Sequence, residues 1–254
     1  MKKEIYIFFT ALMFFTRIPC PKWVNHDPQY LRLSSKYFPL IGIIVGSIGA
    51  LIYYGASFLF STEISLLLSI FATVYATGAF HEDGFADVCD GFGGGWTKEK
   101  ILLIMKDSRL GTYGTIGLLL ILGVKFAALR ETNTSYIPLI LISGHSLSRF
   151  IATTLIFTHS YVRDTEDSKA KPAAKSMTIS MLIISSIFGI APLFFFKNPW
   201  IFLTLIPMYV SKMFLAYKFK KWIGGQTGDC AGAVQQLSEV VFYLTIIALW
   251  KYIW

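Results

Sequence analysis

Apolar and polar positions along this chain fall into long blocks rather than the short alternations of a water-soluble fold. Seven apolar segments stand out: about Phe38 to Phe60, Ile64 to Phe80, Thr112 to Leu129, Tyr136 to Phe157, Thr178 to Phe196, Trp200 to Tyr217, and Glu239 to Trp254. Each approaches the roughly 20 residues that an α-helix needs to cross a bilayer. A further run, Ile5 to Phe15, follows Lys2 and Lys3 but is too short to span comfortably. It leads into Thr16-Arg17-Ile18-Pro19 with no small-residue cleavage pattern. It reads as a short interfacial or re-entrant helix. The pattern predicts an all-α fold: a polytopic membrane bundle of about seven transmembrane helices plus that N-terminal element, with residues 1–254 as a single transmembrane domain.

Composition strengthens this reading. Of 254 residues, 54% are hydrophobic and 15% charged, against about 25% charged in a typical soluble domain. Seven helices of about 20 residues leave only short connections and no separate soluble domain. The net charge of +8 would elsewhere suggest nucleic acid. Here, 17 of the 23 Lys+Arg lie before the first span or in three long linkers, the second of which holds Arg163, Lys169, Lys171 and Lys175. The positive-inside rule makes that side cytoplasmic, with the lipid bilayer as partner, no nucleic acid, and the C-terminus outside. Cys20, Cys89 and Cys230 are too widely spaced to indicate a disulfide framework or a zinc site.

Acidic residues depart from this even pattern. Six of the 15 lie between positions 82 and 107: Glu82, Asp83, Asp87, Asp90, Glu99 and Asp107. On a helix Asp83, Asp87 and Asp90 stand at i, i+4 and i+7, within an arc of about 60° and along about 10 Å of axis. Carboxylates so placed repel one another and destabilise the helix unless a cation offsets them. All-oxygen ligands favour the hard ions Mg²⁺ or Mn²⁺ over zinc. The glycines of Gly91-Phe92-Gly93-Gly94-Gly95 are expected to end the helix and to let backbone approach a ligand. Lys106-Asp107-Ser108-Arg109 then sets two cations and another carboxylate just before the third span, and bases beside a metal site suit a phosphorylated substrate.

Charges also occur within the apolar segments. His145 and Arg149 share one face of the fourth, where an arginine is a functional residue or the partner of an internal carboxylate. Lys125, near the end of its span, can snorkel to the interface. Asp229, in a glycine-rich stretch before the last span, reads either as a helix cap or as a site residue on the same side as the aspartates.

The segments His81-Glu82-Asp83-Gly84-Phe85-Ala86-Asp87-Val88-Cys89-Asp90-Gly91, Met105-Lys106-Asp107-Ser108-Arg109-Leu110-Gly111-Thr112-Tyr113-Gly114, Gly228-Asp229 and Phe15-Thr16-Arg17-Ile18-Pro19 resemble the bacterial cobalamin synthase family, the adenosylcobinamide-GDP ribazoletransferases. The likeness covers nearly the whole chain, and its central motif is long. It implies a magnesium-dependent, multi-pass enzyme of the bacterial inner (cytoplasmic) membrane with its active site on the cytoplasmic face. Such an enzyme joins adenosylcobinamide-GDP to α-ribazole or its 5′-phosphate and releases GMP. Asp83, Asp87 and Asp90 are assigned to metal, and Asp107 to a further ligand or supporting role. Lys106 and Arg109, with Arg149 and Asp229, are assigned to substrate. His81, Glu82 or an uncommitted aspartate is the candidate general base. A homo-oligomer is compatible with the sequence.

Two other functions compete. CDP-alcohol phosphotransferases carry D-G-x-x-A-R followed by further aspartates, whereas Asp83-Gly84-Phe85-Ala86-Asp87 lacks that spacing and the arginine. A transporter would use Lys125, His145 and Arg149 along an ion path. Against it, the acids gather at one membrane face and no internal repeat is evident.

Overall fold

A computed structural model of the chain describes residues 2–24, 27–163 and 177–252. Lys169, Lys171 and Lys175 of the second long linker, and Trp254 of the last apolar segment, lie outside the described residues. The helices are α1 (Lys2–Phe15), α2 (Pro28–Ser34), α3 (Phe38–Ala56), α4 (Thr62–Thr77), α5 (Phe80–Gly94), α6 (Lys98–Ile104), α7 (Thr112–Glu131), α8 (Ile137–Thr158), α9 (Ile179–Ile190), α10 (Leu205–Ile223) and α11 (Gly228–Tyr252). Tight 3-10 turns at Ala191–Phe195 and Pro199–Thr204 continue α9 and lead into α10. Among the described residues β structure is limited to one bridge between Tyr161 and Gln226.

Each of the seven apolar segments folds as a helix. Five helical stretches are long and apolar enough to cross a membrane: Pro28–Ala56, Thr112–Glu131, Thr134–Thr158, Pro199–Ile223 and Gly228–Lys251. α4 qualifies as a sixth only together with α5, from which it is bent by 87°, and Ile179–Phe195 is a shorter apolar helix. Among the described residues the expected count of about seven spans is therefore five by length, or six with the bent pair. Contacts at the helix ends show α3, α4, α7, α8, α9, α10 and α11 running back and forth. At one end Arg130 of α7 meets Glu63 of α4 at 2.9 Å, and Tyr136 packs on Trp250. At the other, Asp90 of α5 meets the start of α7, and Arg163 after α8 meets the start of α11.

Two boundaries differ from the sequence expectation. The last helix begins at Gly228 rather than near Glu239, because Gln235, Gln236, Ser238 and Glu239 interrupt the apolar run yet are all buried. The second span ends at Thr77, where Gly78 (φ +66°) and Ala79 (φ +58°) adopt left-handed backbone and turn the chain into α5. As expected, α5 ends within the glycine run, at Gly94 with Gly95 as its C-cap. Gly91 and Gly93 lie inside the helix: a Cβ at Gly91 would lie 2.5 Å from Met105 Cγ and one at Gly93 2.5 Å from the Tyr113 ring, so these two admit neighbouring side chains.

α8 is buried on nearly every face and forms the centre of the bundle. α3 packs on it through Gly42 and Gly46, whose Cβ positions would run into the backbone of His145, Ser146, Leu141 and Ile142. Small residues spaced in this way let two membrane helices approach closely, so that dispersion contacts replace the hydrophobic drive that lipid does not supply. Ser146 Oγ adds bonds to Pro39 O and Phe188 O, tying α8 to α3 and α9. Gly42→Leu should therefore separate α3 from α8 and remove most folded protein in detergent. Gly123→Ala, where nothing lies within 4 Å, should leave the melting temperature unchanged or slightly higher. Thermal melts of the purified variants check both.

Candidate active site

The aspartate face is real, and it opens a helix rather than closing one. Glu82 and Asp83 fall in the first turn of α5, where the helix dipole favours negative charge. Asp83 is exposed, and Asp87 and Asp90 are half-buried one and two turns on. Asp229, in the first turn of α11, joins them because α5 and α11 pack closely at Gly84, whose Cβ would lie 3.0 Å from Asp229 Cα. Asp87 has Asp229, Asp83 and Asp90 as like-charged neighbours and Arg163 as the opposing charge. Arg163 donates to Asp229 Oδ2 at 2.7 Å and to the Met105 carbonyl at 3.0 Å.

The bend that precedes this face is braced by the N-terminal motif. The Arg17 backbone N–H donates to Ala76 O at 2.8 Å, and its side chain lies where a Cβ on Gly78 would be. Left-handed backbone at Ala79 carries strain of about 1–2 kcal/mol. Such strain persists where the surroundings over-determine the conformation, as functional sites do.

Asp90 has a second task. Its oxygens accept the backbone N–H groups of Gly111 and Gly114, each at 2.8 Å, and so cap α7 from another helix. A Cβ at either glycine would strike the carboxylate, which explains why Gly111-Thr112-Tyr113-Gly114 carries glycine at both positions.

Three sequence-assigned residues lie elsewhere. His81 and Glu82 were expected at the acidic face as base candidates, and Arg149 as a substrate ligand, but all three point into the bundle. His81 is 1% exposed and stacks on Phe38 with ring centroids 5.3 Å apart. Arg149 sits on the other flank, over the Phe38 ring at 5.5 Å, and donates to His145 O at 2.8 Å. Glu82 accepts from Gln236 Nε2 at 2.9 Å. The geometry is simple: Glu82 is about 100° around the helix from Asp83 and so faces α11 instead of the acidic side.

Glu82 enters a buried polar network centred on Glu239. Lys125 meets Glu239 Oε1 at 3.0 Å, Tyr243 donates to the same oxygen at 3.0 Å, and Gln235 donates to Oε2 at 2.6 Å. The His145 ring lies 3.4 Å from Oε2, while Lys125 also donates to Gln236 Oε1 at 3.1 Å. Lys125 is 3% exposed, so it does not snorkel; it pairs within the bundle. Sequence reasoning missed Glu239. The signal was available, because an acid in the last span is the natural partner for the internal cations Lys125 and Arg149.

Asp107 also stands apart from the aspartate face. Arg109 donates to both of its oxygens, to Oδ2 at 2.6 Å and to Oδ1 at 3.1 Å, on the surface between α6 and α7. The Arg109 side chain and backbone N–H hold the Asp107 carboxyl below its usual range. Arg109 and Lys106 are exposed, and Arg109 is already paired. Arg163, which sequence reasoning counted only among the basic linker residues, is the cation in contact with the acidic face.

Among the described residues no group of three or more His, Cys, Asp or Glu side chains converges as a ready-made metal site. The donors at the acidic face are all carboxylate oxygens, which suits magnesium in its common mode: one or two carboxylates, with waters and substrate phosphates completing the shell.

Comparison with known proteins places the chain in a family. Residues 7–247 match the family described as cobalamin-5-phosphate synthase. The chain belongs to that family. It is 45% identical over 251 residues to the adenosylcobinamide-GDP ribazoletransferase of Shewanella frigidimarina, covering 97% of this chain and 96% of that one. The enzymes of the same name from Shewanella amazonensis (42% over 256 residues, 98% of each chain) and Shewanella oneidensis (43% over 251 residues, 97% and 95%) are similar. No solved structure matches the chain. Membership in the cobalamin-5-phosphate synthase family favours the transferase over the CDP-alcohol and transporter alternatives.

Two stability predictions follow from the geometry of this family member. Glu239→Gln leaves Lys125 without its buried partner and should destabilise by about 3–5 kcal/mol, while Lys125→Met combined with Glu239→Gln should lose less than the single change. A double-mutant cycle on melting temperatures reads this. Asp90→Ala removes both caps of α7 and should reduce stability by about 1–2 kcal/mol, whereas Asp83→Ala, on an exposed residue, should not.

Proposed function

We propose that this chain joins adenosylcobinamide-GDP to α-ribazole or its 5′-phosphate, releasing GMP and forming adenosylcobalamin or its 5′-phosphate. The supporting observation is the face formed by Asp83, Asp87, Asp90 and Asp229 at one end of a membrane bundle, in a chain that matches its family over residues 7–247.

In this reaction the 5′-oxygen of the acceptor forms a bond to the phosphorus that carries cobinamide. The bridging P–O bond breaks, and GMP leaves with the electron pair. A bound Mg²⁺, or Mn²⁺, supplies positive charge against the diphosphate and the oxygens that gain charge as GMP departs. Asp83 and Asp87 would hold that ion, with Asp229 beside them. Asp90 takes the smaller share, since its oxygens already accept two backbone N–H groups. The proton lost by a 5′-hydroxyl passes to a carboxylate of this face, because His81 and Glu82 are turned inward. Lys106 and Arg109 contribute positive field from the neighbouring loop.

Arg17, Lys98, Lys100, Lys106, Arg109 and Arg163 lie at the same end of the bundle as the aspartates. The positive-inside rule then supports a cytoplasmic active site on a bacterial inner-membrane protein.

Asp83→Asn and Asp87→Asn should leave the protein monodisperse and thermally intact while abolishing GMP release from adenosylcobinamide-GDP and α-ribazole at every magnesium concentration. Full activity in either variant refutes the metal assignment. Failure of the unaltered protein to release GMP with any divalent ion refutes the reaction.

A further inference from the structure

We infer that Arg163 binds the substrate diphosphate, exchanging its ground-state partner Asp229 for a phosphate oxygen. The inference rests on the reaction proposed above and adds a residue to it.

Position is the first argument. Arg163 makes the ion pair to the acidic face, 2.7 Å from Asp229, and its charge is the favourable one felt by Asp87 and Asp229 alike. Lys106 is exposed, and Arg109 has an 88% exposed side chain tied to Asp107. The Arg163 side chain is 17% exposed, so it is largely desolvated while still reachable from the surface.

Its backbone is also fixed. Gln226 N–H donates to Ser160 O at 2.9 Å, and Val162 N–H donates to Gln226 O at 3.0 Å. A Cβ on Gly225 would collide with Ser160 O. The segment ending at Arg163 is thus clamped to the residues that lead into α11, which holds the guanidinium opposite Asp229. The same guanidinium donates to the Met105 carbonyl, next to Lys106, and so spans the α6–α7 loop and the α11 terminus.

Charge balance gives the direction of the exchange. Among the described residues, Arg163 is the cation paired with the acidic face, at Asp229. With a diphosphate and its divalent cation bound, Asp229 would be neutralised by that cation and Arg163 would be freed. The freed fork of N–H donors then matches phosphate oxygens, a geometry that an ammonium group cannot reproduce.

The test is calorimetric binding of adenosylcobinamide-GDP in Mg²⁺ with the acceptor omitted, together with steady-state GMP release, on the full-length protein. Arg163→Ala should weaken binding by about tenfold to a hundredfold. Arg163→Lys should recover only part of that loss. Asp229→Asn should retain substrate binding but slow transfer. If Arg163 merely orients Asp229, the Arg163→Ala and Asp229→Asn variants will lose binding equally and Arg163→Lys will restore it in full; either result overturns the inference. Should Arg163→Ala not fold, binding by Arg163→Lys equal to that of the unaltered protein overturns it alone. An unaltered protein that neither binds the substrate nor releases GMP overturns the reaction, and the inference with it. Normal activity in the unaltered protein with unimpaired Arg163 variants overturns the inference only.

Discussion

A charged side chain inside a bilayer must find its partner within the protein, and in this chain that partner is Glu239. Water cannot satisfy Lys125, His145 or Arg149 at the middle of the bundle, and an unpaired ion there is expensive. Glu239 gathers Lys125, His145, Gln235 and Tyr243 around one carboxylate, and Gln236 carries the chain of bonds on to Glu82. Four helices, α5, α7, α8 and α11, are thereby held in one register. The acidic face sits one residue beyond Glu82 on α5 and two to three turns before Glu239 on α11, so interior pairing fixes the spacing of the carboxylates at the surface.

Much of this was legible in the sequence because lipid imposes a simple code. Apolar runs such as Tyr136 to Phe157 correspond almost residue for residue to helices, since a spanning segment has no other way to bond its backbone. The face shared by Asp83, Asp87 and Asp90 followed from helical periodicity alone. What could not be read locally were the partners. Arg163 and Asp229 lie far apart in sequence, and their pairing depends on how Ser160 to Arg163 is clamped to Gln226. The start of α11 was hidden for a different reason: Gln235, Gln236 and Glu239 look like a loop until the helices that bury them are in place. The glycines after Asp90 were legible in part: Gly94 and Gly95 close α5 as expected, whereas the approach of Met105 and Tyr113 to Gly91 and Gly93 has no local signal.

The two groups of acids illustrate how environment separates roles among identical side chains. Glu239 is enclosed and bonded on both oxygens, and its function is to hold helices together. Asp90 is partly committed, capping α7 while bordering the acidic face. Among the described residues Asp83 and Asp87 make no hydrogen bond or ion pair with another side chain, and they are the carboxylates proposed for the cation. Asp107, bound by Arg109 on the surface, belongs to none of these sets despite its proximity in sequence.

The right-angled corner at Gly78 and Ala79 decides how reactants can be laid out. Since α5 leaves α4 at 87°, its carboxylates are strung out across the line of α4 instead of continuing along it. In the reaction proposed above, a long, two-headed substrate would meet these carboxylates side-on, with its macrocycle and its nucleotide toward opposite ends of α5.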